Sequence, residues 1–203
     1  MRHWNYAKSV PDKVYVACSG GMDSVAVASI LAKWKDVTLC HFSHKDHAHK
    51  EEQASVSSLA EMLNIPVIFE YSSEDLPTSN KEELWRNDRY RWFHTLDAPV
   101  VTGHTLDDAV EWYMMTCLRG RGEFMPYQNK NVIRPFLLTR KDELRDYAVD
   151  SGLKWWEDET NHDENFGTRA KVRKFLLPAS LVVESGLYNI VKKRLTEKIK
   201  NEQ

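Results

Sequence analysis

The stretch Ser19-Gly20-Gly21-Met22-Asp23-Ser24 follows the apolar run KVYVAC and leads into DSVAVASILAKW. Two adjacent glycines let the backbone approach a ligand closely and take up positive φ. A helix opening at Met22 or Asp23 points unpaired N–H groups and its positive dipole end into the turn, and Ser19 and Ser24 add hydroxyl donors. These residue types suit an anion with several oxygens, such as a phosphate or pyrophosphate. Asp23, at the helix start, is a candidate for ordering water or a metal ion, with a plain helix cap as the alternative. The turn is neither a Walker loop, since GxxxxGK[ST] does not occur and no lysine lies inside it, nor a dinucleotide GxGxxG loop.

Further along, PVVTGH leads into LDDAVEWYMMTCLRG. Asp107, Asp108 and Glu111 share roughly one helical face. Clustered acids suit a metal ion or the ammonium of an amine substrate, whose proton they could accept before attack. The alternative is an acidic helix N-terminus steadied by the dipole. His104 either orients a phosphate or satisfies a strand end. Arg86, Arg89 and Arg91, interleaved with Tyr90 and Trp92, suit phosphate contacts and base stacking, while Trp85, Trp92 and Phe93 read as core. HFSHKDHAHK packs His41, His44, His47 and His49 together, but no cysteine or paired ligand spacing supports zinc. Trp155 and Trp156 read as packing the final segment onto the body.

These residues need elements to place them. KVYVAC, VTLCHF, PVIFEY, PVVTGH and VIRPFLL read as five strands. Between them, DSVAVASILAKW, EEQASVSSLAEMLN, NKEELWRNDRYRWFHTL and LDDAVEWYMMTCLRG read as helices, and TRKDELRDYAVDSG follows as a helix opened by Thr139 and closed by Gly152. Such alternation predicts an α/β fold, a doubly wound parallel five-stranded sheet with helices on both faces. Ligands then bind beyond the carboxyl ends of the strands, where every polar motif above falls. After Gly152 the rhythm stops, so residues 1–152 are expected to form the catalytic domain and 153–203 a polar loop with a basic helical extension.

The chain has 203 residues, 42% apolar and 29% charged, enough to bury one core. A net charge of −2 does not announce a nucleic-acid binder. No apolar stretch approaches a membrane span and the N-terminus lacks a signal-peptide core. Cys18, Cys40 and Cys117 lie far apart with no CxxC pair, which fits a reducing compartment. A soluble cytoplasmic protein without a membrane partner is expected. From Glu164 onward, however, Arg169, Lys171, Arg173, Lys174, Lys192, Lys193, Arg194, Lys198 and Lys200 outnumber the acids by about five. A basic tail on an acidic body permits a polyanion partner.

SGGMDS after a strand resembles the pyrophosphate-binding loop of the N-type ATP pyrophosphatases, the PP-loop enzymes. The later motifs narrow the resemblance to the tRNA(Ile)-lysidine synthetase family. Gly103, His104, Asp107, Asp108, Glu111, Leu118, Arg119 and Gly120 are similar to one family segment, and Arg86, Arg89 and Tyr90 to its arginine helix. IRPFLL, Asp158, Asn161 and RAKVRKFLLP match further family elements, so the likeness covers about residues 13–178. Ala170, Ala109, His47 and EFMPYQNKN depart from the pattern. The resemblance implies a short form lacking the family's usual C-terminal domains, with a Rossmann-like fold of the PP-loop type. It implies that ATP adenylates the C2 oxygen of a wobble cytidine in tRNA and that free lysine then displaces AMP. Ser19, Gly20, Gly21, Asp23, Ser24, His44 and His104 would bind ATP, and Asp23 and Asp108 would hold Mg²⁺. Asp23, Asp107, Asp108 and Glu111 would serve catalysis, while Arg86, Arg89, Arg119, Arg169 and Arg173 would contact tRNA. Two other readings are a PP-loop tRNA thiolase, whose relatives rely on cysteines often set in CxxC pairs, of which this chain has none, and a nucleotide- or tRNA-binding protein without turnover.

Overall fold

The computed structural model describes residues 9–43, 49–72, 81–157, 172 and 184–202. Strand β1 (Lys13–Ala17) is followed by helix α1 (Met22–Leu31), β2 (Asp36–Ser43), α2 (His49–Leu63) and β3 (Val67–Tyr71). Then come α3 (Lys81–Phe93), β4 (Val100–Thr102), α4 (Leu106–Leu118), β5 (Gln128–Asn129), β6 (Val132–Ile133), α5 (Lys141–Asp150) and α6 (Glu184–Glu202). The sheet runs β3-β2-β1-β4-β6-β5. All neighbours are parallel except β5 and β6, so the expected doubly wound α/β class is borne out.

Alternation along the strands explains the layers. Val14, Val16, Val37 and Leu39 face one way and form the main core with α1, α2 and α5. Their neighbours Tyr15, Ala17, Cys40 and Ile68 face the other way, against Phe93, Tyr90 and Trp92 of α3. A period of two on strands buried on both faces yields these near-continuous apolar runs. Helix α4 leaves the sheet at the end of β4 and pairs with α6, joining Leu106, Ala109 and Val110 to Tyr188, Val191 and Leu195.

The sheet departs from expectation at its last strands. Only Val132 and Ile133 of VIRPFLL lie in the ladder, because Pro135 cannot donate to it. A sixth, antiparallel strand, β5, covers that edge. Helix α5 begins at Lys141, capped by Arg140 in extended backbone, not by Thr139. The Thr139 carbonyl instead accepts from Leu106 N at 2.8 Å, tying the heads of α4 and α5 together.

Arg134 ends the shortened strand fully buried. Its guanidinium donates to the Pro126 carbonyl and to the Tyr90 hydroxyl, both at 2.9 Å. It thereby fixes α3, with its arginines, against the loop that precedes β5. Arg134→Ala is expected to cost about 3 kcal/mol, since a charge-assisted bond is lost, a buried carbonyl is orphaned and a cavity opens. A lowered denaturant midpoint at unchanged m-value is the result to look for, and an unchanged midpoint would remove Arg134 as a clamp.

Candidate functional site

Strand order places the site. From β1 the chain winds outward through β2 and β3, then returns past β1 to β4. The carboxyl ends of β1 and β4 therefore flank a topological switch point, where α/β sheets open a crevice for ligands. The turn after β1 holds Ser19–Ser24, and the turn after β4 holds Gly103–Asp108.

The first turn is held by its own side chains. Gly20 has φ +83°, a conformation costly for any residue with a Cβ. Its carbonyl accepts from Trp156 N at 2.9 Å, while Trp155 packs against the α1 core. Trp155 and the Trp156 backbone thus tie residues 155 and 156 to the body, while the final segment expected to follow them lies, up to residue 171, outside the described residues. Ser24 Oγ donates to the Gly21 carbonyl at 2.8 Å and accepts from Ser19 N at 3.3 Å. Helix α1 then opens at Met22 with Gly21 as cap and without a side-chain cap bond, so its first N–H groups lack intrahelical acceptors.

The second turn presses on the first. A Cβ on Gly103 would lie 3.2 Å from Ser24 N and 3.3 Å from the Asp23 carbonyl carbon, so only glycine allows this approach without displacement. His104 Nδ1 is 2.8 Å from Thr102 Oγ1. Thr105 and Asp108 form a reciprocal capping box: the Asp108 carboxylate accepts from Thr105 N and Oγ1 at 2.9 Å, and Thr105 Oγ1 accepts from Asp108 N at 3.4 Å.

Asp107 works differently. Its carboxylate accepts from Lys141 N at 2.7 Å and from the Tyr188 hydroxyl at 3.0 Å. Arg140 Nη2 lies 3.7 Å from it, with the guanidinium stacked 3.8 Å above the Tyr188 ring. Asp107 therefore joins the heads of α4 and α5 to α6. Glu111 is buried one turn on.

Asp23 faces these acids across the crevice. Burial pushes its carboxyl above the usual carboxylate range, Lys141 opposes that shift, and Asp108 and Asp107 add to it. Oδ2 pairs with Lys141 Nζ at 3.0 Å. Oδ1 is buried and has no hydrogen-bond partner among the described residues. Among the described residues no three His, Cys, Asp or Glu side chains converge as a metal cage. A Mg²⁺ ion needs less than a cage, because it is commonly held by one or two carboxylates with substrate phosphates and water. Orphaned Asp23 Oδ1 fits that requirement, whereas Asp108 is already engaged in its cap.

The remaining sequence candidates spread out. Arg86 is exposed and lies over the Tyr90 and Trp112 rings, at 5.5 and 5.4 Å. Arg89 is half-buried, and burial lowers its pKa. Arg119 caps the far end of α4, about 18 Å along the helix from its acidic head. His41 is buried, with Nδ1 donating to the Cys18 carbonyl at 2.8 Å and its pKa lowered by burial. His44, Arg169 and Arg173 lie outside the described residues, as do His47, Asp158 and Asn161. Sequence reasoning missed Thr105, Arg140, Lys141 and Tyr188. Thr105-x-x-Asp108 was the one available signal, being a capping-box pattern.

A family model described as "PP-loop domain" matches residues 3–180. The chain belongs to the PP-loop family. Among curated relatives, a tRNA(Ile)-lysidine synthase of Vibrio vulnificus is 32% identical over 185 residues, covering 82% of this chain and 42% of the relative. One of Corynebacterium glutamicum is 30% identical over 181 residues, covering 86% and 57%. The chain spans about half the length of these relatives. Among solved structures, NMN synthetase from Francisella tularensis aligns over 96% of this chain and 94% of its own, with TM-score 0.56 and 18% identity. NH3-dependent NAD synthetase from Campylobacter jejuni aligns over 98% and 91%, with TM-score 0.53 and 15% identity. Those likenesses concern the fold alone. The Ser19–Ser24 turn lies within the matched residues, and no helix among the described residues is long and apolar enough to cross a membrane.

Proposed function

We propose that this PP-loop chain is an ATP-dependent, tRNA-modifying ligase that joins lysine to a wobble cytidine and releases AMP and pyrophosphate. The observation that carries the reading is the loop itself: Asp23 offers an orphaned carboxylate oxygen beside the uncapped head of α1. The relatives' names, tRNA(Ile)-lysidine synthase, support tRNA and a lysidine product, and lysine is the co-substrate proposed for that product.

In the first step the cytidine C2 oxygen attacks the α-phosphorus of ATP, and the bond to pyrophosphate breaks. The N–H groups of α1 and the Ser19 hydroxyl hold the leaving phosphates, and Asp23 anchors their counter-ion. Mg²⁺, when bound, supplies positive charge to the phosphate oxygens. In the second step the lysine amine attacks C2, the C2–O bond breaks so that AMP leaves with that oxygen, and the new ammonium passes its proton to the Glu111 carboxylate. Glu111 is the buried acid nearest in sequence to the cap and serves as the partner of that ammonium. Asp107 and Asp108 hold the wall of the crevice in shape. A thiolase reading is disfavoured by the cysteines, since Cys18 and Cys40 are buried and Cys117 is exposed without a disulfide partner.

The test is incubation of unmodified tRNA with the protein, ATP, Mg²⁺ and lysine, then mass spectrometry of the nucleosides and chromatography of the nucleotides. Lysine-bearing cytidine with AMP is the expected result. ADP as the main product would overturn the PP-loop chemistry. AMP without modified cytidine would overturn the choice of substrates.

A further inference from the structure

The PP-loop is built from serines, glycines and one acid, so within its own sequence it has no full positive charge to meet a polyphosphate. The fold brings one from 118 residues away. Lys141, first residue of α5, places Nζ 3.0 Å from Asp23 Oδ2. Its backbone is fixed independently, because Lys141 N donates to Asp107 at 2.7 Å and Asp107 is itself held by Tyr188. The ammonium stands on an anchored stem beside the loop.

This ion pair is unequal. The Lys141 side chain is 52% exposed, against 23% for Asp23. A pair with one half-exposed, solvent-screened partner contributes little to stability, so holding the fold together does not account for the lysine. An ammonium has three donors, and Asp23 Oδ2 is its ion-pair partner. Half of the side chain stays open to solvent while its ammonium sits on the first turn of α1, whose head has no side-chain cap.

We propose that Lys141 is the pyrophosphate-binding cation of this PP-loop, parked on Asp23 when no nucleotide is bound. With ATP in place, Asp23 turns its charge to the metal, and Lys141 turns to the oxygens of the departing pyrophosphate. Rotation about its own side-chain bonds suffices, because the backbone stays tied to Asp107. Lys141 thus does for this loop what a lysine inside the turn does for a Walker loop, from a different element.

The inference rests on the nucleotide reading above, and calorimetry separates the two. Pyrophosphate and AMP are titrated separately, with Mg²⁺ present, into the parent chain, Lys141→Met and Lys141→Arg. Pyrophosphate affinity should fall at least tenfold in Lys141→Met and be largely kept in Lys141→Arg, with AMP affinity within twofold throughout. Lys141→Gln, which keeps a donor for Asp23 but no charge, replaces the methionine variant should that one fail to fold. Pyrophosphate affinity unchanged in the uncharged variant overturns the proposal. So does an equal loss of AMP and pyrophosphate binding, which would mark a structural role. A parent chain that binds neither ligand overturns the nucleotide reading and this inference with it.

Discussion

Asp23→Asn is expected to reduce turnover by at least tenfold, about 1.4 kcal/mol of barrier, while leaving the fold at least as stable as the parent. The two effects diverge for one reason. Burial raises the Asp23 carboxyl above its ordinary value of 3.8, so ionising it costs more in the folded chain than in the unfolded one. A raised acid contributes most to stability below its unfolded pKa, and that contribution is lost as pH rises through the folded pKa. At neutral pH the parent therefore carries a charge that folding disfavours, and asparagine relieves it. Thermal unfolding of both proteins across pH should show the variant ahead at neutrality and the gap closing as pH falls to the carboxyl's ordinary value of 3.8. Lys141 loses its partner in the variant but is half exposed, so water can replace it. A variant that keeps full turnover would remove Asp23 from the reaction. One that melts well below the parent at neutral pH would make it structural.

The second large effect concerns tRNA. Helix α6 buries Tyr188, Val191, Leu195 and Ile199 and exposes Lys192, Lys193, Arg194, Lys198 and Lys200. Deleting the helix is a poor test of those charges, because it would strip four core side chains as well. Replacing Lys192, Lys193 and Arg194 together with glutamate leaves the buried stripe intact. Each phosphate contact contributes about 0.9 to the slope of log affinity against log salt. The triple variant should bind tRNA at least tenfold more weakly in about 0.1 M salt, with a slope shallower by about 1–3. ATP binding at the PP-loop should be unaffected. Equal affinity and equal slope would mean that α6 carries ordinary surface charge, and tRNA contact would then rest with Arg86 and Arg89.

Local physics was readable in the sequence, and distant physics was not. Apolar runs of strand length and the Gly20-Gly21 pair located β1, the turn and the start of α1 within a residue, while the end of α1 was read three residues too far. The alternation of strands and helices gave the parallel sheet. VIRPFLL was read too long, because apolar content cannot show that Pro135 stops the ladder or that Arg134 turns inward to Tyr90. The acids after β4 looked like one constellation by helical spacing. In the fold Asp107 reaches α5 and α6, Asp108 folds back onto Thr105, and Glu111 is buried. Lys141 and Asp23 are far apart in sequence, as are Tyr188 and Asp107, and neither pair leaves a local pattern. Only the closing of the sheet brings them together.

Tyr188 gives α6 two readers. Its outer side presents lysines and an arginine to solvent, while its inner side passes a hydroxyl to Asp107, which holds the stem of Lys141 beside the PP-loop. A polyanion that shifts α6 acts on the carboxylate that anchors the Lys141 backbone. Free energies of binding are reciprocal between linked sites. Whatever factor an occupied α6 imposes on pyrophosphate affinity, an occupied loop must therefore return to the polyanion. Two ligands of like charge would then sense one another through a single phenol, without touching.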